Sequence, residues 1–318
     1  MSTALERRGY GPAWLKETYL LGVDLTLDDG SPYPERIFTE ALKAAERELA
    51  DELGLTFSPQ TYTERHDKEP DQAPAWWPIR TQQRPLYSVE RLELIYGQSQ
   101  TRAELPRQWL TITEPLAGQA HIIPTTEGSA SYFTNSGLPV ILGLGGLSSQ
   151  LYVPAYFNIR YKAGFALELG TLTFEAGETQ ASATFSAPLQ GRYEVSLDTP
   201  APAYVSERSP EGLTITLEEP ASEPLTISYT ADTLPPDIVR AIALKSSLLA
   251  LNVAGDLIAG AGIAQSSIGV DGLSQSIATT ASATNAGYGA RVLQFEREYK
   301  ALLSTLKANY RALNFMAL

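Results

Sequence analysis

The spacing of hydrophobic and polar positions along this chain changes period twice, and each change marks a new kind of element. Between residues 34 and 53 the apolar side chains Phe38, Leu42, Ala45, Leu49 and Leu53 recur at intervals of three and four. That spacing predicts one apolar stripe on a helix, which Gly54 ends. From Phe57 onward the period falls toward two, predicting strands over 61–64, 79–82, 89–96, 109–113, 121–123, 140–142 and 157–161. The run VERLELIY at 89–96 alternates most clearly. Between the first two strands lies a proline-rich excursion whose Trp76 and Trp77 need burial, in a local core or at a subunit interface.

Residues 166–232 form a unit of their own in pattern. The short alternating runs TLTFEAG, ASATFSAP, RYEVSLD, AYVSERS, GLTITLEE and LTISYTA are punctuated by Gly177, Pro188, Gly191, Pro200, Pro210, Gly212 and Pro220. Strands at intervals of roughly ten residues predict a small β-sandwich. The helical period then returns. Pro236 suits the first position of a helix and Asp237 its positive end. Over 238–253 the side chains Ile242, Leu244, Leu248, Leu249 and Leu251 leave only a narrow polar stripe through Arg240 and Lys245, so this helix is packed on several faces. A second helix carries Tyr288, Val292, Phe295, Tyr299, Leu302, Leu306 and Tyr310 as a single apolar seam that needs a partner helix. Between the two runs GVDGLSQSIATTASATNAGYGAR, read as a loop of small polar residues.

The chain therefore reads as α+β: a helical core with accessory strands, plus an inserted all-β sandwich. Because RYKAGF at 160–165 leads naturally to LPPDI at 234–238, the sandwich at 168–232 is expected as an insertion with adjacent ends in a core made of 1–167 and 233–318. Charge sharpens this division. The net charge is −12, and 168–232 holds 11 acidic and 2 basic side chains, net −9, whereas 233–318 is net +2. A chain this acidic, without basic blocks, is a poor candidate for gripping phosphates. There is no cysteine, which excludes disulfides and thiolate metal sites and suits assembly in a reducing cytoplasm. The N-terminus lacks a signal-peptide core, and the longest charge-free stretch of the 238–255 helix is too short to span a bilayer, so no membrane association is expected.

Candidate chemistry is sparse, and no enzyme activity is expected. His66 and His121 have no metal-ligand spacing. Asp24, Asp28 and Asp29 suggest a calcium loop, but the sixth position, where such a loop needs glycine, is Asp29. The run Gly143-Leu144-Gly145-Gly146-Leu147 lacks the third glycine of a dinucleotide fingerprint and the Lys-Ser/Thr of a phosphate loop, and reads as a turn. No cofactor or metal is expected.

One stretch carries a resemblance. The order Asp271-Gly272-Leu273-Ser274-Gln275-Ser276, a Thr/Ala/Ser run to Thr284, then Asn285-Ala286-Gly287-Tyr288 resembles head-to-tail adaptor (neck connector) proteins of tailed bacteriophages. Weaker likeness extends to 24–38, to RYKAGF at 160–165, and to the charged-aromatic helix with its aromatic-ended tail. The resemblance implies a structural virion protein that forms a dodecameric ring in the neck, between portal and tail, assembled in the host cytoplasm. Its partners would be further copies of itself, the portal protein, and tail or neck completion proteins, with DNA passing through the channel without specific binding. In this reading Tyr288, Val292, Phe295, Tyr299, Leu302 and Leu306 form the ring seam. Tyr310, Phe315, Met316 and Leu318 form a portal-docking tail. The β module also resembles small modules that decorate phage structural proteins. Two alternatives stay open: glycan recognition through that module, with Tyr193 and Tyr204 as binding aromatics, and an enzyme acting on cell-wall sugars.

Overall fold

The structure, a computed structural model, describes residues 3–27, 30–67, 78–96, 101–122, 156–186, 188–259, 265–270, 273–278 and 288–311. The expected strand at 140–142, the glycine run at 143–147, Trp76 and Trp77 lie outside them. Helices and antiparallel sheets both contribute, so the chain is α+β. It divides into two compact units, one made of Met1–Leu53 with Pro235–Leu318 and the other of Gly54–Leu234.

The first unit is helical. Its helices are α1 (Pro12–Thr18), α2 (Glu35–Leu53), α3 (Pro236–Ala259) and α4 (Gly289–Leu306), the last continuing into a π-helical turn over Lys307–Arg311. The stripe predicted for α2 is the face it buries: Phe38, Leu42, Ala45, Leu49 and Leu53 are all inside, joined by Ala41. Gly54 ends it with φ +65°, a left-handed conformation that costs glycine little. Helix α3 packs against both α2 and α4 and is correspondingly buried almost all round, with Ile238, Ala241, Ile242, Ala243, Leu244, Leu248, Ala250 and Leu251 inside. Each large apolar side chain removed from water in this way contributes about 1.5–3 kcal/mol. Ser246 and Ser247 are fully buried on the same helix, and Ser246 Oγ donates to Ile242 O at 2.6 Å.

The region between α3 and α4, read as a small-residue loop, contains a hairpin instead. Strands β14 (Gln265–Val270) and β15 (Leu273–Ala278) pair antiparallel, from Gln265↔Ala278 to Val270↔Leu273. The signal was present: Asp271-Gly272 between two alternating runs is a strong short-range hairpin cue. The abundance of serine in those runs obscured it.

The second unit is built from strands and two hydrophobic clusters. Strands β1 (Gln60–Asp67), β7 (Tyr156–Ala163), β3 (Leu86–Tyr96) and β4 (Thr101–Glu104) form an antiparallel sheet in that order, and β2 (Pro78–Arg80), β6 (Gln119–Ile122) and β5 (Leu110–Glu114) form another. Both supply one core, around Leu86, Leu92, Trp109, Ala120, Ile159 and Tyr161. The order of pairing, which alternation cannot give, sets β7 between β1 and β3.

The six runs of the β module appear as β8 (Leu167–Phe174), β9 (Gln180–Thr184), β10 (Glu194–Asp198), β11 (Ala203–Ser209), β12 (Gly212–Leu217) and β13 (Leu225–Asp232). They make two three-stranded antiparallel sheets, β10-β13-β8 and β11-β12-β9. A second cluster, including Phe174, Phe185, Leu213, Ile215, Leu217, Ile227 and Tyr229, fills their shared core. The ends of the module are adjacent, with Leu167 opposite Asp232 and Thr233 N donating to Ala166 O at 3.1 Å. The compact units nonetheless divide at 54 and 234 rather than at 168 and 232. The reason is physical: Ala166 belongs to the module's core and Tyr87 of β3 packs against it, so this core reaches back into the neighbouring strands.

Candidate functional site

The residues that sequence reasoning put forward lie mostly on α4. Val292, Phe295, Tyr299 and Leu306 are buried, while Tyr288 and Leu302 are half-buried. The helix they pack against is α3 of the same chain. A neighbouring subunit is therefore not needed to cover this seam. The face of α4 left open carries Leu293, 48% exposed. Tyr310 in the π-helical turn is half-buried, and burial, reinforced by the charge of Asp237, holds its hydroxyl above the usual range. Phe315, Met316 and Leu318 lie outside the described residues.

Polar ties bind the seam's far end to α2. Lys245 of α3 sits 2.9 Å from Glu48 and over the Tyr299 ring, with its Nζ 5.5 Å from the centroid. Lys307 reaches Glu52 at 2.5 Å, and Tyr299 donates to the same carboxylate at 3.5 Å. Burial, followed by the nearby charges of Glu52 and Glu48, pushes the Tyr299 hydroxyl up to about 12. Each ion pair is partly solvated and contributes only about 0–1 kcal/mol. They lie at the margin of the apolar packing by which α3 meets α2 and α4.

At the near end of α4 the N-terminal segment closes over the helix, a feature the sequence did not disclose. The hydroxyls of Tyr33 and Tyr288 are 3.1 Å apart, Tyr33 also donates to Ala254 O at 3.4 Å, and Tyr288 donates to Asp24 O. Arg291 donates to Tyr19 O at 3.3 Å and lies over the Phe295 ring. Leu21, Gly22, Val23, Asp24, Tyr288, Ala290 and Arg291 line an open groove of about 390 Å³, with Leu21 75% exposed at its rim. Farther back, Glu46 of α2 accepts from the buried amides of Ala4 and Leu5 at 2.9 and 3.4 Å. Burial outweighs these hydrogen bonds and raises the carboxyl of Glu46. Two of the resembling stretches, 24–38 and the one ending at Tyr288, are thus in direct contact.

The remaining candidates are held by ordinary structural partners. His66 on β1 sits 3.3 Å from Glu64, which also accepts from the Tyr161 hydroxyl and from Gln82 N at 3.0 Å. Burial is the main reason the Tyr161 hydroxyl is raised far above its usual range, the Glu64 hydrogen bond adding to it. His121 on β6 faces the Gln119 amide at 2.7 Å. In the module, Tyr193 donates to Ser209 O and Gly212 O and stacks edge-on to Phe185, whereas Tyr204 on β11 is 52% exposed. Among the described residues no group of three or more His, Cys, Asp or Glu is placed to hold a metal ion. Among those same residues no helix is long and apolar enough to cross a membrane. The α4 region thus carries an apolar rim at Leu21, an open groove and an Arg291 guanidinium already engaged by Tyr19 O and the Phe295 ring.

The chain matches no protein-family model and no curated protein sequence.

Proposed function

We propose that this chain is a structural neck protein of a tailed phage, an adaptor that forms a dodecameric ring between portal and tail and is assembled in the host cytoplasm. The observation that carries the reading is the meeting of the two resembling stretches, Asp24 and Tyr33 against Tyr288, in a helical unit drawn from both ends of the chain. In this reading the helices surround a channel through which DNA passes without being gripped, consistent with a net charge of −12. The chain acts by assembly rather than catalysis. The two three-stranded sheets of 167–232 are an inserted β-sandwich that faces solvent, and their acidic surface keeps many copies in one assembly soluble.

Ring contacts fall on surfaces that one chain leaves open, with the α4 seam supporting them from beneath. The tail with Tyr310, Phe315, Met316 and Leu318 docks on the portal, and neck or tail completion proteins bind the opposite side. Removing Asn314–Leu318 is expected to leave the melting temperature of the isolated chain nearly unchanged while abolishing binding to the portal. Equal loss of stability with portal affinity intact would assign the tail to the chain's own core. Glycan recognition through the module is the weaker reading, because Tyr193 is committed to the β11–β12 turn and its core.

A further inference from the structure

The β14–β15 hairpin is an unfinished sheet. Among the described residues no third strand extends either edge, and no helix forms a substantial contact with it. An isolated two-stranded hairpin is marginal in water, and stable sheets need three or more strands or a packed face. Among the described residues each outer edge presents a row of backbone N–H and C=O groups with no strand partner, a template for another strand.

Two of the devices that normally block such pairing, charged residues and prolines along the strands, are missing. Neither Gln265–Val270 (QSSIGV) nor Leu273–Ala278 (LSQSIA) contains a charged residue or a proline. In a chain of net charge −12, whose residues 168–232 alone carry −9, the two strands themselves add no like-charge repulsion between identical copies, and the one charge of 265–278 is Asp271 between them in sequence. The two strands already accept each other as antiparallel neighbours over six residue pairs.

We propose that each hairpin pairs with the hairpins of neighbouring copies of this chain, β15 of one copy against β14 of the next. Rotation about a ring axis keeps every hairpin in the same orientation, so β15 of one copy runs antiparallel to β14 of its neighbour. The contact is heterologous and continues the up-and-down order without a break. When the ring closes, the hairpins form one barrel with no free edge. The inference rests on the ring reading for closure, and it names the contact that reading leaves unspecified.

The absence of cysteine allows a direct test on the full chain. Single variants Ser266→Cys and Ser267→Cys on β14, and Ser274→Cys and Ser276→Cys on β15, each introduce one thiol by a near-isosteric change. One β14 variant, labelled with ¹⁵N, is mixed with one unlabelled β15 variant, oxidised with glutathione disulfide, and weighed by native and denaturing mass spectrometry. We expect ring-sized oligomers in which mixed β14–β15 disulfides clearly exceed the equal share that random collision gives. Oligomers without mixed disulfides, or with like-strand disulfides prevailing, overturn the hairpin contact and leave the ring reading standing. A chain that stays monomeric and uncrosslinked overturns both.

Discussion

The helical unit and the β module bury apolar surface in opposite ways. In the module every strand comes from one continuous segment, its ends lie side by side, and its core is filled almost entirely from within that segment. In the helical unit α2 comes from near the start of the chain and α3 and α4 from its end, and none buries its apolar face without the others. The module's strands are thus contiguous in the chain, whereas the helical unit forms only when distant parts of the chain meet.

The comparison is broken most severely by placing a charge in the seam. Phe295→Asp puts a carboxylate at a position only 4% exposed and is expected to cost about 3–5 kcal/mol. Far-UV circular dichroism should show loss of helical signal while the near-UV signature of the module's tyrosines survives. A variant that keeps a cooperative helical transition near that of the parent would show that α4 is not committed to this core.

The reverse experiment loads the module alone. A Cβ at Gly212 would lie 2.1 Å from Ala183 O, so Gly212→Val must push β12 away from β9. We expect about 1–3 kcal/mol of destabilisation in the module, with the helical melting midpoint unmoved. Parallel loss of both transitions would mean that the two regions fold as one.

A smaller effect lies in the alkaline range. The Tyr299 hydroxyl has a folded-state pKa of about 12 against an ordinary value of 10.0, so the folded chain holds its proton longer. Its contribution is fully present below pH 10 and is lost as pH rises through about 12. Tyr299→Phe should flatten that part of the stability profile, measured by urea unfolding at successive pH values. An unchanged slope would place the titration elsewhere.

How much of this was legible depends on whether the signal was local. The α2 stripe, the six module strands and the apolar character of α3 follow from side-chain period, and the structure has each of them. Strand β4 escaped because Thr101–Glu104 is a short edge strand whose TRAE sequence carries no alternation, and only pairing with β3 makes it a strand. The seven-residue helix α1 begins with Pro12 at its first turn but is too short for periodicity to show. The α4 seam announced that it needed a partner without saying whose, and α3 of the same chain packs there. The closure of Tyr33 over Tyr288 joins residues from opposite ends of the chain, which no local pattern encodes.

The central claim, that this chain forms the ring between portal and tail, is tested most directly by the native mass of the chain mixed with its portal ring. The account predicts a single complex carrying twelve copies of the chain per portal ring. A mixture in which portal and chain keep their separate masses would contradict it.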